Sequence, residues 1–330
     1  MPKLQEKHIL VTGGAGFIGS NLIARLLEDN NHITCLDNFS TGKKENLKPF
    51  SDHPNFTLIE GDIRDLDTCR NAVKGISIVY HQAALGSVPR SIKSPEITTD
   101  VNISGFVNML TAAKDEGVKR FVYAASSSTY GDNTELPKQE DKIGKPLSPY
   151  AITKYVNEMY ADVFHRLYGI DCIGLRYFNV FGKRQDPNGA YAAVIPKFIA
   201  MFLQQKSPVI NGDGEQSRDF TYIENVIQAN LLAASTDKPE ALNKVYNVAC
   251  GNYISLNHLT KVIQKQLSAF DPRVAEISVK HGPERQGDIK HSLASIDKAI
   301  SLLDYQPEYQ VENGLKEAIE WYYKTLRQDD

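Results

Sequence analysis

The sequence predicts an α/β protein built on a doubly wound parallel sheet, followed by a smaller α/β substrate-binding domain. Short apolar runs alternate with amphipathic segments in the first half. Several runs show no polar alternation, which is typical of strands covered by helices on both faces. The predicted strands are His8–Thr12, Ile33–Asp37, Phe56–Ile59, Ile78–Gln82, Arg120–Ala124 and Cys172–Phe178. The predicted helices between them are Ser20–Asp29, Ile103–Glu116 and Pro149–Leu167. This βαβ series predicts a Rossmann sheet.

The regular alternation of predicted strands and helices ends after Gly182, which predicts a domain boundary there. Residues 183–198 mix proline, glycine and polar residues, as expected for a loop that leaves the sheet. We therefore predict a nucleotide-binding domain over residues 1–182, rejoined by about residues 222–250. Residues 183–330 are expected to form mainly the substrate-binding domain.

Composition excludes several classes of protein. Hydrophobic residues make up 42% and charged residues 23% of the chain, as in ordinary globular proteins. The net charge of −3 argues against nucleic-acid partners. No segment approaches the roughly 18 apolar residues of a membrane span. The four cysteines lack metal-ligand or redox spacing. We expect a cytoplasmic protein with no metal site and no membrane partner.

A glycine-rich turn follows the first predicted strand and opens a helix. It reads GGAGFIG over residues 13–19. Unpaired N–H groups and the dipole at a helix N-terminus favour anions. Side chains at Gly13 and Gly16 would obstruct a pyrophosphate, and Gly19 lets the helix pack closely. The turn predicts dinucleotide binding by Gly13, Gly16, Phe17, Ile18 and Gly19.

An acid at the end of the second predicted strand selects the dinucleotide. Asp37 can accept hydrogen bonds from both ribose hydroxyls and would repel a 2′-phosphate. No arginine follows it to reverse that preference, so the expected cofactor is NAD. The pair Asp62 and Ile63, after the third strand, could flank the adenine. This part of the predicted site also includes Asn38, Ser40, Thr41 and Gly42.

Two further segments carry the candidate catalytic groups. One is ASSSTYG, residues 125–131, and the other is SPYAITK, residues 148–154. Tyr150 and Lys154 share one helical face because they are four residues apart. A nearby ammonium and a bound nicotinamide cation both favour the phenolate of Tyr150. With a serine facing the phenol, these groups suit hydride transfer at a carbinol carbon.

The motifs TGGAGFIG, Asp37, Asp62, HQAA, SSSTYG, YAITK and RYFNVFG occur in this order over essentially the whole chain. In that order they resemble the extended short-chain dehydrogenases/reductases. The resemblance implies Tyr150 as catalytic acid/base, Lys154 bound to the nicotinamide ribose and Ser126 as the partner of Tyr150. It also implies cofactor contacts from Gln82, Ala83, Ala84 and Tyr177. A homodimer is implied as well, through a four-helix bundle formed by the helices Ile103–Glu116 and Pro149–Leu167.

The residues beside the catalytic serine differ between members of this family that catalyse different reactions. Related dehydratases and decarboxylases have acidic residues there, whereas this chain has Ser127 and Ser128. Elimination then lacks its general acid, and reversible oxidation at C4 of a nucleotide sugar remains. Ser126, Ser127 and Ser128 are thus the candidate catalytic serines. The 4-keto sugar would turn over and be reduced on its other face, so NAD would stay bound as a prosthetic group.

The substrate is predicted from separate downstream segments. Arg218 and Arg285 can clamp a diphosphate through bidentate contacts. Alignment through Gly287 and Asp288 puts the small Ser292 where relatives restricted to non-acetylated hexoses carry a large aromatic residue. The loops at residues 85–91 and 184–196 resemble those of UDP-N-acetylglucosamine 4-epimerases. The resemblance implies a sugar pocket formed by Gly86, Ser87, Ser126, Ser127, Asn179, Gln185, Ala193, Val194, Asp288 and Ser292.

The expected reaction is therefore C4 epimerisation between UDP-N-acetylglucosamine and UDP-N-acetylgalactosamine. Three alternatives stay open at this point. One is a UDP-glucose/UDP-galactose 4-epimerase. Another is a UDP-hexuronate or UDP-N-acetylhexuronate 4-epimerase, in which Arg90 would meet the C6 carboxylate. The third is an NAD-binding regulator without activity, which the presence of both Tyr150 and Lys154 disfavours.

Overall fold

A computed structural model of the chain describes residues 3–188, 192–284 and 290–326. Its strands are β1 (His8–Thr12), β2 (His32–Asp37), β3 (Phe56–Glu60), β4 (Ile78–His81), β5 (Arg120–Ser126), β6 (Asp171–Tyr177), β7 (Val180–Phe181), β8 (Val209–Asn211), β9 (Ser217–Arg218), β10 (Thr221–Tyr222), β11 (Lys244–Val248), β12 (Ile254–Ser255) and β13 (Lys280–Gly282).

The helices flank and extend this set of strands. They are α1 (Phe17–Glu28), α2 (Lys44–Leu47), α3 (Leu66–Ala72), α4 (Val88–Lys93), α5 (Pro95–Thr99), α6 (Gly105–Glu116), α7 (Pro149–Tyr168), α8 (Val194–Leu203), α9 (Ile223–Ser235), α10 (Leu256–Ser268), α11 (Asp297–Leu303) and α12 (Val311–Leu326). A single wide turn of π-helix, Asp100–Ser104, joins α5 to α6.

Seven strands form one parallel sheet in the order β11-β6-β5-β4-β1-β2-β3. The strand order reverses between β1 and β4, whose residues pair in register, for example Leu10 with Val79. Loops leave the carboxyl ends of these two strands in opposite directions, so a crevice opens between them. The α/β fold with a doubly wound parallel sheet is confirmed.

The two faces of the sheet are buried against different helices. Along β1, Ile9 and Val11 pack into one core cluster with side chains of α1 and α9. The intervening Leu10 packs into a second cluster with side chains of α3, α6 and α7. Successive side chains of a strand point to opposite faces, so an unbroken apolar run is what such a strand needs. This burial explains why the sequence predicted the strands well.

Much of the chain after β6 forms smaller units apart from the main sheet. In the described ranges these include three two-stranded pairings, β10 with β7, β12 with β9 and β13 with β8. Strand β11 returns to the main sheet and pairs with β6, so residues 244–248 belong to the sheet. The division into domains at residue 182 stays a prediction.

Boundaries differ from the predicted ones in a few places. Helix α1 begins at Phe17, three residues before the predicted start at Ser20, because Gly16 serves as its N-cap. Strand β5 continues through Ser126, and β3 ends two residues before Asp62. The four cysteines are free and buried. Within the described ranges, no helix is long and apolar enough to cross a membrane, and no group of three potential metal ligands occurs.

Candidate active site

A cavity of about 440 Å³ opens at the carboxyl ends of the strands, where the sheet order reverses. Every residue predicted to bind the cofactor lines it: Gly13, Gly16, Phe17, Ile18, Gly19, Asp37, Asn38, Ser40, Thr41, Gly42, Asp62, Ile63, Gln82, Ala83, Ala84, Tyr150, Lys154 and Tyr177. Gly86 and Ser126 line it as well. We refer to it as the cofactor cavity.

The glycine-rich turn is sterically restricted at two positions. Gly13 has a φ of +68°, and a Cβ there would lie 2.7 Å from Cα of Ala83. A Cβ at Gly19 would lie 2.8 Å from Cα of Gly14. Both positions therefore exclude other residues for reasons of backbone conformation and packing. The first turn of α1 is left facing the cavity, where its N–H groups suit a diphosphate.

Asp37 is buried at the end of β2 and holds the loop around it. Its carboxylate accepts hydrogen bonds from the N–H of Ala15 at 2.9 Å and of Phe39 at 2.8 Å. Burial raises the pKa of Asp37, and the two N–H donors oppose that rise. Each carboxylate oxygen has a second lone pair, so the side chain can still accept from a ribose.

The predicted adenine flank is a polar cluster. The Asn38 amide donates to Asp62 at 2.8 Å, and the Arg64 guanidinium binds both carboxylate oxygens of Asp62, at 3.1 and 2.7 Å. Arg64 lowers the pKa of Asp62 to about 2. The carboxylate is thus ionised and fixed. Arg64 is a supporting residue that the sequence did not single out.

Tyr150 and Lys154 lie on the cavity-facing side of α7. The Lys154 ammonium is buried and donates to the carbonyl of Ala124 at 2.7 Å. Burial lowers its pKa to about 8. Burial also raises the pKa of Tyr150, and the Ser126 hydroxyl partly offsets that rise. In the protein by itself, the phenol pKa is therefore not lowered as the spacing predicted, because burial outweighs the contribution of Ser126.

The three candidate serines occupy different places. Ser126 lies at the end of β5 and lines the cavity. The Ser128 hydroxyl donates to Oγ of Ser126 at 2.9 Å, so Ser128 lies one hydrogen bond behind it. Ser127 is partly exposed and does not line the cofactor cavity. Direct contact with a substrate oxygen is thus geometrically available to Ser126 first.

Tyr177 belongs to a buried amide and phenol network. The Gln82 amide donates to Oη of Tyr177 at 3.1 Å, and the Asn230 amide donates to the same oxygen at 3.0 Å. Asn230 comes from α9 and is fully buried. The sequence missed it because nothing near Asn230 along the chain carries a cofactor motif.

A second cavity of about 380 Å³ adjoins the first, since Val180 lines both. We call it the substrate cavity. Asn179, Ala193, Val194 and Arg218, all predicted to bind substrate, line it. The sequence missed its other polar residues, Lys197, Asn211 and Gln216. No motif marks these positions, which come together only through the small strands and α8.

Four predicted substrate residues line neither cavity. Ser87 caps α4 and accepts from the N–H of Arg90 at 3.2 Å. The Gln185 amide donates to the carbonyl of Val180 at 3.0 Å. The Ser292 N–H donates to the carbonyl of Ser217 at 3.1 Å, next to Arg218 in the chain. The remaining one is Ser127, and the predicted residues Arg285 and Asp288 lie outside the described ranges.

Comparison with known proteins gives the family. The model of the NAD dependent epimerase/dehydratase family matches residues 9–249. A solved UDP-N-acetylglucosamine 4-epimerase from Methanobrevibacter ruminantium M1, in complex with UDP-N-acetylmuramic acid, is 42% identical with a TM-score of 0.90, covering 97% of this chain and 99% of that one. A UDP-glucuronic acid 4-epimerase from Bacillus cereus, in complex with UDP-glucuronic acid and NAD, is 32% identical with a TM-score of 0.84, covering 96% and 99%.

A further relative is named for a third sugar, glucose. The UDP-glucose 4-epimerase of Mycolicibacterium smegmatis is 34% identical, over 95% of this chain and 97% of its own length. The chain belongs to the NAD dependent epimerase/dehydratase family, and its cofactor is NAD. More particularly, these relatives support UDP-sugar 4-epimerase activity. The restricted glycines, the fixed Asp37 and the first turn of α1, which lines the cavity, fit NAD.

Proposed function

We propose that the protein interconverts UDP-N-acetylglucosamine and UDP-N-acetylgalactosamine by inverting C4 through a 4-keto sugar. The observation that carries the proposal is the junction of the two cavities at Val180, with Tyr150 and Ser126 on one side and Arg218 on the other. A UDP-sugar that bridges this junction would place its sugar beside the phenol and its diphosphate in the substrate cavity.

When bound, NAD would accept the hydride of C4 and return it, and its oxidised nicotinamide would carry a positive charge. Tyr150 takes the proton of the 4-hydroxyl and returns it after the keto sugar has turned over. Ser126 hydrogen-bonds the same oxygen, held in place by Ser128. Lys154 is charged below pH 8, because its pKa lies at about 8. Its charge and the cation together favour the phenolate, against the rise that burial causes.

The preference for acetylated sugars rests on small side chains and on similarity. Gly86 and Ala193 line the cavities, and Ser292 is fixed beside the strand of Arg218. None of them projects a large ring that would displace a 2-acetamido group. The 42% identity to a UDP-N-acetylglucosamine 4-epimerase supports the same choice.

A uronate substrate is the second candidate. Its support is the likeness to a UDP-glucuronic acid 4-epimerase and the contact of Arg90 with Gly86, which lines the cofactor cavity. The Arg90 guanidinium donates to the carbonyl of Gly86 at 3.3 Å. It would have to exchange this contact for a C6 carboxylate, which makes the uronate the weaker proposal.

The test ranks specificity constants for C4 inversion of four substrates: UDP-N-acetylglucosamine, UDP-glucose, UDP-glucuronate and UDP-N-acetylglucosaminuronate. We expect the first to have the largest kcat/KM. A largest value for UDP-glucuronate would establish the alternative, and equal values for acetylated and non-acetylated sugars would remove the preference that we propose.

We also propose a homodimer through α7 and the helices packed along it. Ile152, Met159 and Leu167 on α7 are exposed, as are Ile92 on α4 and Ile97 on α5. A second copy of the chain would cover this apolar surface in a four-helix arrangement. The exposed groups next to α7 come from α4 and α5, whereas the sequence pointed to α6, whose Val107 is partly buried.

Light scattering coupled to size-exclusion chromatography tests the dimer. Met159→Arg places a charge in the proposed interface and should give monomers. Ile300→Arg, at an equally exposed isoleucine of α11, is the matched control and should leave the mass unchanged. A monomeric wild type would refute this interface. We propose a cytoplasmic location, because free, buried cysteines are usual in a reducing compartment.

A further inference from the structure

The segment 183–186 lies along the wall of the cofactor cavity and precedes, in sequence, residues that line the substrate cavity. Arg184 and Asp186 line the cofactor cavity, and Ala193 lines the substrate cavity. We call residues 183–186 the strap. Sequence motifs pointed to Gln185 as a sugar contact and gave no role toward the cofactor to any residue of the strap.

The strap is anchored from two helices. On one side, the Asn21 amide of α1 donates to the carbonyl of Lys183 at 3.0 Å. On the other side, the hydroxyl of Tyr322 on α12 lies 2.7 Å from the carbonyl of Gln185 and 3.1 Å from that of Gly182, so its one hydrogen is shared between them. Arg184 itself has a φ of +65°, a left-handed conformation that non-glycine residues seldom adopt. These anchors fix where the Arg184 side chain begins.

The Arg184 guanidinium lies beside the first turn of α1. It donates to the carbonyl of Ser20 at 3.0 Å and faces the ring of Phe50 at 5.3 Å. One hydrogen bond uses one of its five N–H donors. Among the described residues, no carboxylate lies within 4.0 Å of it, and the Glu224 carboxylate pairs instead with Lys183 at 3.3 Å. Burial lowers the pKa of Arg184, and the charge of Glu224 opposes that fall. Because Arg184 lines the cofactor cavity, its other N–H donors can bind an anion there.

A second contact joins the strap to the opposite wall. The Lys43 ammonium pairs with the Asp186 carboxylate at 3.0 Å, and both residues line the cavity. Lys43 belongs to the loop after β2, where its N–H donates to the carbonyl of Ala15 at 3.0 Å. Both side chains are partly exposed, so the pair is weak by itself and can open.

We propose that Arg184 binds the diphosphate of NAD beside the first turn of α1, and that the strap, closed by Lys43 and Asp186, retains the cofactor between turnovers. The nearest anion that this family's cofactor offers to a cation at a helix N-terminus is its diphosphate. Retention suits a reaction in which the cofactor is regenerated in place. The inference rests on the NAD site and is independent of which UDP-sugar is the substrate.

The first experiment measures the rate at which purified holoprotein releases NAD into excess apo-dehydrogenase as a trap. Arg184→Met removes the charge at similar volume and should speed release by about 10–100-fold, the usual worth of hydrogen bonds to a charged group. Arg184→Lys should fall between. Arg70→Met, at an exposed arginine of α3, is the control and should release NAD at the wild-type rate. A rate for Arg184→Met within twofold of wild type overturns the proposal.

The second experiment separates binding of the diphosphate from a structural role. Competition calorimetry compares ADP-ribose, which contains the diphosphate, with adenosine, which does not. The loss of affinity in Arg184→Met should appear with ADP-ribose and be absent with adenosine. Equal losses for both ligands would mean that Arg184 only supports the cavity, and the proposal would fail. If Arg184→Met does not fold, the same comparison is made with Arg184→Lys.

The third experiment addresses closure. Asp186→Asn removes the ion pair with Lys43 but leaves Arg184 in place, and it should speed release only about two- to fivefold, as an exposed pair allows. Affinity for adenosine should be unchanged. Release at the wild-type rate would remove the ion pair from the proposal.

Discussion

We expect the buried charge of Lys154 to lower the free energy of unfolding of the protein. The pKa of its buried ammonium falls from 10.5 to about 8, with burial as the largest cause. One pKa unit corresponds to about 1.4 kcal/mol, so the charged side chain destabilises the fold by roughly 3 kcal/mol near pH 7. Its hydrogen bond to the carbonyl of Ala124 returns about 1 kcal/mol. Lys154→Met should therefore stabilise the protein by about 2 kcal/mol while abolishing efficient turnover.

The sign of the pH dependence follows from linkage. The folded chain releases the Lys154 proton near pH 8 and the unfolded chain near pH 10.5. Between these values the unfolded state binds more protons, so the stability of the wild type rises with pH across the window. The advantage of Lys154→Met should thus be full at pH 7 and mostly lost at pH 9.5.

Thermal unfolding of NAD-free protein measures this effect. For a chain of this length, 2 kcal/mol corresponds to about 2–4 °C in Tm. Lys74→Met, at an exposed lysine of the surface, controls for the loss of one charge and should show no gap that depends on pH. The reasoning is refuted if Lys154→Met melts below the wild type at pH 7, or if the gap is the same at both pH values.

Three further predictions concern turnover and substrate binding. Tyr150→Phe should lower kcat by about 10²–10⁴-fold while NAD stays bound, and near-normal turnover in a folded variant would assign the proton transfer to another group. Arg218→Ala and Arg285→Ala should each weaken UDP binding by about 10–150-fold in calorimetry. An unchanged Kd in both variants would show that the diphosphate binds elsewhere. Ser292→Tyr should lower kcat/KM for acetylated sugars about 5–150-fold relative to UDP-glucose. An unchanged ratio would remove Ser292 from the sugar pocket.

The cofactor site was predictable because its chemistry depends on local spacing. The turn at residues 13–19 needs glycines where the backbone bends and where α1 packs, and these requirements lie within a few residues of one another. Asp37 follows because parallel strands end at one edge of the sheet, which brings the end of β2 beside the turn. Each such inference requires only the strand order of a doubly wound sheet.

The missed residues come from segments that no local pattern connects. Asn230 reaches Tyr177 from α9, across 53 positions of the chain. Asn102 sits in the wide turn between α5 and α6, where its amide donates to Thr153 at 3.1 Å and accepts from the N–H of Leu85 at 2.8 Å. These contacts are set by the packing of distant elements. Periodicity predicts that such elements exist but not which side chains meet.

The substrate side was predicted less well for a related reason. Its residues lie on β7, β9 and α8 and on the loops between them, and β7 and β9 have two residues each. Strands of two residues show no alternation of polar and apolar side chains. The substrate residues were therefore predicted from the alignment of single positions. Arg218 and Asn179 line the cavity as aligned, whereas the Gln185 amide bonds to the carbonyl of Val180.

The strap explains why the two sides of the site need not vary together. Its backbone is fixed by α1 and α12, and the side chains of Arg184 and Asp186 line the cofactor cavity. Ala193 and Val194, later in the chain, line the substrate cavity. A change of sugar specificity can therefore be made after residue 186 while the groups that hold NAD stay in place. Variants at Ser292 should alter the ranking of sugars without altering NAD release, and variants at Arg184 should do the reverse. Coupled changes in both measurements would show that the strap moves as one unit with the substrate cavity.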